Sequence, residues 1–386
     1  MKEIVFIRQS TANMGGIQWQ IVKLAEKLFS RGCFKPVLIT SDKHSPFAQA
    51  FAARGFEVFA VPMGKAKILS AAKEVSKILK DRDIAVIQTP LIESFIARAV
   101  RKKRDDIRHI LRAEVSISGT LNPNWKKRLC HLLDKLTSRW VDCYVVNGQY
   151  LADEIINCSK VNPNKVVVLL NGRDQIGEPD EPCDEPDKPL PARIAMVANF
   201  AQGKGHDCLM KAMAILKKKN LIIRARLIGG ELAAKISDSK KQNNTSAIKK
   251  LAGEFSVSDQ IEFYGYTKDV FSALAGISVV VLPSDSEGVP NCILEAMSLR
   301  KLVIASNTGG VGEIIDDKKT GLLCKPKDPK GLADLLQYVF THKAGDFEPI
   351  RTAGFEKWQK NFTSEKMVDN LVEVYRKLGV LQYETA

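Results

Sequence analysis

Nowhere in this sequence do two cysteines stand as Cys-x-x-Cys. The eight cysteines (33, 130, 143, 158, 183, 208, 292 and 324) are scattered, and the five histidines are far apart. These spacings argue against structural zinc and a disulfide framework, and fit reduced thiols. No apolar run approaches the roughly 20 residues that a membrane span needs. The opening MKEIVFIRQS meets Arg8 too soon for a secretory signal, so a cytoplasmic protein is expected. The first strand-like run leads into Asn13-Met14-Gly15-Gly16 rather than Gly-x-Gly-x-x-Gly. The dinucleotide fingerprint is therefore missing, which speaks against a nicotinamide oxidoreductase.

What the sequence does have is ordinary globular composition, with 45% hydrophobic and 26% charged residues over 386, and a net charge of +14. That length suits two domains. The charge is uneven: residues 1–182 hold 29 Lys+Arg against 19 Asp+Glu, and residues 183–386 hold 29 against 25. The basic first half suggests an anionic partner.

Short β-branched runs alternate with amphipathic stretches throughout, the pattern of an α/β chain with parallel sheets covered on both faces. Strands are expected in the first half at 4–7, 36–40, 57–61, 85–88, 109–111, 143–146 and 166–170, and in the second at 194–197, 225–228, 261–264, 279–282, 302–305 and 321–323. Helices are expected at 17–29 and 364–378, from the spacing of their apolar residues. The proline- and acid-rich stretch 177–191 reads as a linker. It divides a first Rossmann-like domain (1–176) from a second (192–363), with 364–386 able to pack back on the first. Two doubly wound domains facing each other across a cleft follow as the expected architecture, with ligands at the carboxyl ends of the strands.

The segment Val279–Glu295, VVVLPSDSEGVPNCILE, carries the clearest chemistry. A buried strand ends at Pro283, and Pro290 suits the first position of a helix whose free N–H groups attract anions or hydroxyls. Glu287 in the loop and Glu295 in the helix flank that start, and carboxylates accept paired hydroxyl hydrogen bonds. An isolated Glu-x7-Glu is also what a capping acid and a surface acid look like.

Further residues stand in register with this segment. They are Ser286-Glu287-Gly288-Val289-Pro290-Asn291 with Leu294-Glu295-Ala296-Met297, Thr308-Gly309-Gly310-Val311-Gly312-Glu313, Gly321-Leu322-Leu323, Lys204-Gly205-His206-Asp207, Gly15-Gly16-Ile17 and Asn171-Gly172. In this order they resemble the retaining glycosyltransferases of the GT-B class, family 4 (glycosyl transferases group 1). The resemblance implies a metal-independent hexosyltransferase using a nucleotide sugar, UDP- or GDP-linked. The acceptor it implies is a glycan or lipid-linked molecule in envelope polysaccharide or lipopolysaccharide synthesis. It implies that Glu287 binds donor-sugar hydroxyls, with Gly288, Val289, Pro290 and Asn291 beside sugar and phosphate. Glu295 would hold the ribose, Lys204 would neutralise the diphosphate, and Gly15 and Gly16 would admit the pyrophosphate from the first domain.

Two departures stand out: Asn199 occupies the place of a second phosphate cation, and Glu114 lies nearest the place of an active-site histidine. Glu114 is therefore a catalytic candidate, while His109 reads as a strand-start residue. Gly230, in Gly229-Gly230-Glu231, fits either a diphosphate contact or a plain turn. Tyr266, with Thr267, is a candidate near the base. Glu313 reads as a first-turn helix acid, and Asp81-Arg82-Asp83 as helix-end chemistry rather than a metal motif. No cofactor, metal or nucleic acid is expected.

The stretch 125–140, WKKRLCHLLDKLTSRW, with Leu129, Leu132, Leu133 and Leu136 on one face, fits an interfacial helix on anionic lipid. It fits a core-facing helix equally. The nearby run 98–104, RAVRKKR, adds basic charge, so peripheral contact with the inner face of a membrane is a further expectation. Competing readings are a same-fold epimerase or phosphorylase, and a non-catalytic nucleotide-sugar-binding module.

Overall fold

A computed structural model describes residues 1–10, 14, 16–64, 67–114, 124–181, 185–230 and 244–382, the side chains of 124, 126 and 244 excepted. The chain forms two compact units, Met1–Asn171 with Ser364–Ala386, and Gly172–Thr363. The first holds strands β1 (Glu3–Ile7), β2 (Lys35–Thr40), β3 (Glu57–Ala60), β4 (Ile84–Thr89), β5 (Arg108–Ala113), β6 (Cys143–Val146) and β7 (Val166–Val168). The second holds β8 (Arg193–Val197), β9 (Arg224–Ile228), β10 (Ile261–Gly265), β11 (Val279–Leu282), β12 (Leu302–Ser306) and β13 (Leu322–Cys324).

Their orders are β3-β2-β1-β4-β5-β6-β7 and β10-β9-β8-β11-β12-β13, with parallel neighbours. In both sheets the winding direction reverses once, between β1 and β4 and between β8 and β11. Reversal leaves the loops after those two strands diverging, which opens a crevice at their carboxyl ends. The sequence accounts for the sheets directly. Central strands such as β4 and β11 are buried along their whole length, so they carry apolar runs, Ile84 to Ile87 and Val279 to Leu282, rather than alternation.

The helix Ser364–Lys377 belongs to the first unit and packs on the helix Gly16–Ser30. Met367, Leu371 and Tyr375 enter the core, and the Tyr375 ring meets Phe34 edge-on at 5.1 Å. Arg31 ties the exposed side to Asp369 at 2.7 Å and to Glu365, which Lys27 also contacts.

The proline- and acid-rich stretch is tied to the second unit instead of standing free. Asp180 accepts from Lys301 (2.7 Å) and Arg351 (3.4 Å), and Asp187 from Lys343 (2.8 Å). Its acids serve as partners for cations of that unit, a use that composition cannot reveal. The chain passes between the units at Asn171/Gly172 and Thr363/Ser364.

The helix Asn124–Thr137 decides between the two readings of its leucines. Leu129, Leu132, Leu133 and Leu136 are 41–60% exposed, with Trp125 at 61%, while the inward side carries the buried Asp134. The core-facing reading is therefore wrong. Asp134 pairs with Arg98, itself buried, and accepts from Tyr144 Oη at 3.1 Å. A correction to the basic run 98–104 follows: Arg98 is an internal ion-pair partner, and Arg101 and Arg104 are held by Asp142 and Asp106. Among the described residues, no helix is long and apolar enough to cross a membrane.

Candidate functional site

In the second unit, the loops after β8 and β11 leave the sheet on either side of its reversal point. Lys204 stands in the first loop and Glu287 in the second, and Lys204 Nζ donates to both Glu287 carboxylate oxygens at 2.8 and 3.0 Å. The Glu287 side chain is nearly buried, whereas about a third of Lys204 stays exposed. The pair thus presents one open ammonium face.

Glycine makes this approach possible. Gly205 has φ +83°, and a Cβ there would lie 1.9 Å from Pro283 O. Gly309 has φ +54°, and its Cβ would lie 1.8 Å from Glu287 O. Any side chain at either position would push the Lys204 loop or the Glu287 loop out of place. Gly310 N donates to Gly288 O at 3.0 Å, locking the second loop further.

His206 opens the helix His206–Lys218, and burial pushes its imidazole down to about 4, Lys204 adding to the effect against Asp207. It is neutral at pH 7, so Lys204 is the formal cation of this loop. Asn199, exposed after β8, adds no charge.

After β11, Gly288, Val289 and Pro290 lead into the helix Asn291–Ser298, with Pro290 as its N-cap rather than its first residue. Asn291 Oδ1 is buried without a hydrogen-bond partner. Glu287 and Glu295 lie on either side of Cys292: desolvation first, then these carboxylates, push its thiol up to about 12. A thiol that stays protonated is no nucleophile. Glu295 is 5% exposed and ion-paired to Arg173, a contact absent from the sequence reading. Gly230 follows β9 and approaches Tyr266, after β10, so closely that a Cβ would sit 3.1 Å from the tyrosine Cβ. Tyr266 is 63% exposed. Lys204, Glu287, Gly230 and Tyr266 thus all stand at carboxyl ends of strands in one sheet.

In the first unit, Glu114 follows β5 and receives Arg8 at 3.2 Å and Arg112 at 3.3 Å. Its carboxylate is held between two guanidiniums, which suits a fixed positioning group. These residues line a water-sized cavity together with Gln88 and Thr89, beside the β1–β4 reversal. Sequence reasoning missed Arg8 and Arg112. The signal for Arg112 was a charge inside an otherwise buried strand. His109 is a core residue, bonded to Thr89 Oγ1 (2.9 Å) and Trp140 O (3.1 Å) and pushed down to about 3 by burial. Gly16 begins the first helix and is exposed, while Gly15 lies outside the described residues. Arg82, of Asp81-Arg82-Asp83, pairs with Glu3 and Glu57 at the amino ends of β1 and β3. Among the described residues, no group of three or more His, Cys, Asp or Glu is placed to hold a metal ion.

The chain is similar to known proteins along most of its length. A family model described as glycosyl transferases group 1 matches residues 184–349, and one described as a glycosyl transferase 4-like domain matches residues 15–172. An uncharacterized glycosyltransferase of Haemophilus influenzae is 25% identical over 87% of this chain and 90% of its own length. The lipopolysaccharide core biosynthesis glycosyltransferase LpsE of Rhizobium meliloti is 24% identical, over 81% of this chain and 85% of its own. Among solved structures, Anabaena HepE in complex with UDP and glucose matches with a TM-score of 0.79 at 16% identity, over 97% of this chain and 100% of HepE. That last likeness speaks for the fold alone. With one matched family model on each half and sheets of this topology, the chain belongs to the GT4-type glycosyltransferases of the GT-B class.

Proposed function

We propose that the chain transfers a sugar from a nucleotide diphosphate donor, UDP- or GDP-linked, to a hydroxyl of a glycan or lipid-linked acceptor, with retention and without a metal ion. The observation that carries this is the Lys204–Glu287 pair at the reversal point of the second sheet. A donor diphosphate draws the ammonium away from Glu287, and the freed carboxylate accepts hydroxyls of the sugar. The bond from the anomeric carbon to the phosphate oxygen breaks as the acceptor oxygen bonds to that carbon. The acceptor's proton passes to the departing diphosphate, whose charge Lys204 offsets. Glu295 serves the ribose after exchanging Arg173 for its hydroxyls, and Tyr266 and Gly230 lie toward the base and phosphates.

The HepE complex with UDP and glucose supports a UDP-linked donor, and LpsE supports an envelope glycan or glycolipid as product. The test is a panel of UDP- and GDP-sugars scored by calorimetry, with slow hydrolysis of the bound donor followed by NMR. The expected result is one favoured donor and a first-formed product that keeps its anomeric configuration. An inverted product would remove retention, and no binding to any nucleotide sugar would remove the reading.

A membrane-facing role rests on the helix Asn124–Thr137. Its exposed leucines form an i, i+3, i+4, i+7 stripe, with Arg128, Lys135 and Arg139 along one flank. Trp140 stacks with Lys102 and Arg139. Apolar residues entering the headgroup boundary beside basic ones favour anionic lipid. Vesicles containing phosphatidylglycerol are expected to co-sediment the protein at low salt, and Leu132→Glu with Leu136→Glu to abolish it. Equal pelleting of the variant, or none of the wild type, would end the membrane proposal.

A further inference from the structure

A cavity of about 420 Å³ in the second unit lies at the amino ends of β8, β9 and β10, the opposite end of that sheet from Lys204 and Glu287. Two independent features there lack partners. Arg193 and Arg224 begin adjacent strands as direct register partners, both exposed, and neither has an acidic partner among the described residues. Like charges side by side on neighbouring strands repel. Arg226, further along β9, is by contrast committed to Glu262 (2.9 Å) and to the carbonyl of Ala273. The second feature is Gln260, which lines the same cavity and is 3% exposed, with both amide atoms buried and unpartnered. Its neighbour Asp259 feels the amide but lies outside hydrogen-bond geometry, and is engaged by Lys217 at 3.1 Å. An unmade hydrogen bond on a buried amide is unfavourable by roughly 1–3 kcal/mol per group, so the combination calls for a ligand.

We propose that this cavity binds a small hydroxylated phosphate monoester, its phosphate held by Arg193 and Arg224 and its hydroxyls met by Gln260. Guanidinium forks match phosphate oxygens in pairs, and a dianion relieves the repulsion between the two arginines. A hydroxyl both donates and accepts, which is what a free amide requires. The volume suits a body of sugar or nucleoside size. The site is separate from the donor end by the length of a strand, about 15 Å.

The test titrates glucose 6-phosphate, glycerol 3-phosphate and AMP into the full chain by calorimetry with UDP saturating, using glucose and inorganic phosphate as controls. UDP binding in the same sample reports on the donor site, so a failure there is distinguishable from a failure here. The expected result is saturable 1:1 binding of at least one ester, tighter than inorganic phosphate, with none for glucose. Arg193→Ala with Arg224→Ala should weaken it at least about tenfold. Gln260→Leu should erase the preference for the ester over inorganic phosphate. Both arginines are exposed, so the double variant should fold, and a melting curve checks this. No saturable binding of any ester, displacement by UDP, no gain over inorganic phosphate, or unchanged affinity in the double variant each overturns the proposal.

Discussion

Glu287→Ala is expected to lower transfer by about 10²–10³-fold while the protein still binds UDP, because UDP lacks the sugar that this carboxylate would hold. The size follows from removing one preorganised hydrogen-bonding group at a reacting centre. The pair geometry sharpens the expectation. With its carboxylate gone, Lys204 loses its partner at 2.8 Å but keeps nearly a third of its side chain in solvent, so the ammonium stays hydrated and available to phosphate. UDP affinity should therefore hold or rise. Glu287→Gln keeps shape and one acceptor, and should recover part of the lost rate. The measurements are turnover with the favoured donor and calorimetry with UDP. Wild-type turnover in Glu287→Ala would move the site elsewhere.

Lys204→Met is expected to be as damaging, with a different signature. Asn199 carries no charge and His206 is held neutral, so no second cation from β8 or its loop shares the diphosphate. Losing a charge-assisted hydrogen bond to phosphate lowers UDP affinity by roughly 10–100-fold. UMP has no β-phosphate, and its affinity should fall less, so the UDP/UMP ratio is the readout. The stability effects are also opposite in kind. Lys204→Met strands a nearly buried carboxylate, which destabilises by on the order of 1–2 kcal/mol after allowing for partial exposure, whereas Glu287→Gln strands a solvated ammonium. Adding Glu287→Gln to Lys204→Met should restore the melting temperature without restoring activity. Restored activity would contradict the role given to the lysine.

The sheets were legible because their central parallel strands, buried on both faces, leave apolar runs such as Val279 to Leu282. Expected and observed strands agree within two residues at every position from β1 to β13. Glu287 was legible as a carboxylate in the polar loop after such a run, and Lys204 only through the resemblance that Lys204-Gly205-His206-Asp207 bears to the family. Other features depend on contacts across long separations. Glu295 meets Arg173 across 122 positions, and nothing near either residue announces it. Arg98 looked like surface charge in a basic run, yet Asp134, 36 positions on, draws it inside. The leucines of Asn124–Thr137 have a spacing that fits a core or an interface alike. Which face turns inward depends on Asp134, a polar residue that periodicity counts as outward.

The most direct test of the central claim is a crystal structure of the protein with the UDP-sugar that the donor panel selects. The account predicts Lys204 Nζ released from Glu287 and within hydrogen-bond distance of a β-phosphate oxygen, with Glu287 on the sugar hydroxyls. A bound donor that leaves the Lys204–Glu287 pair intact, its phosphates lying elsewhere, would contradict it.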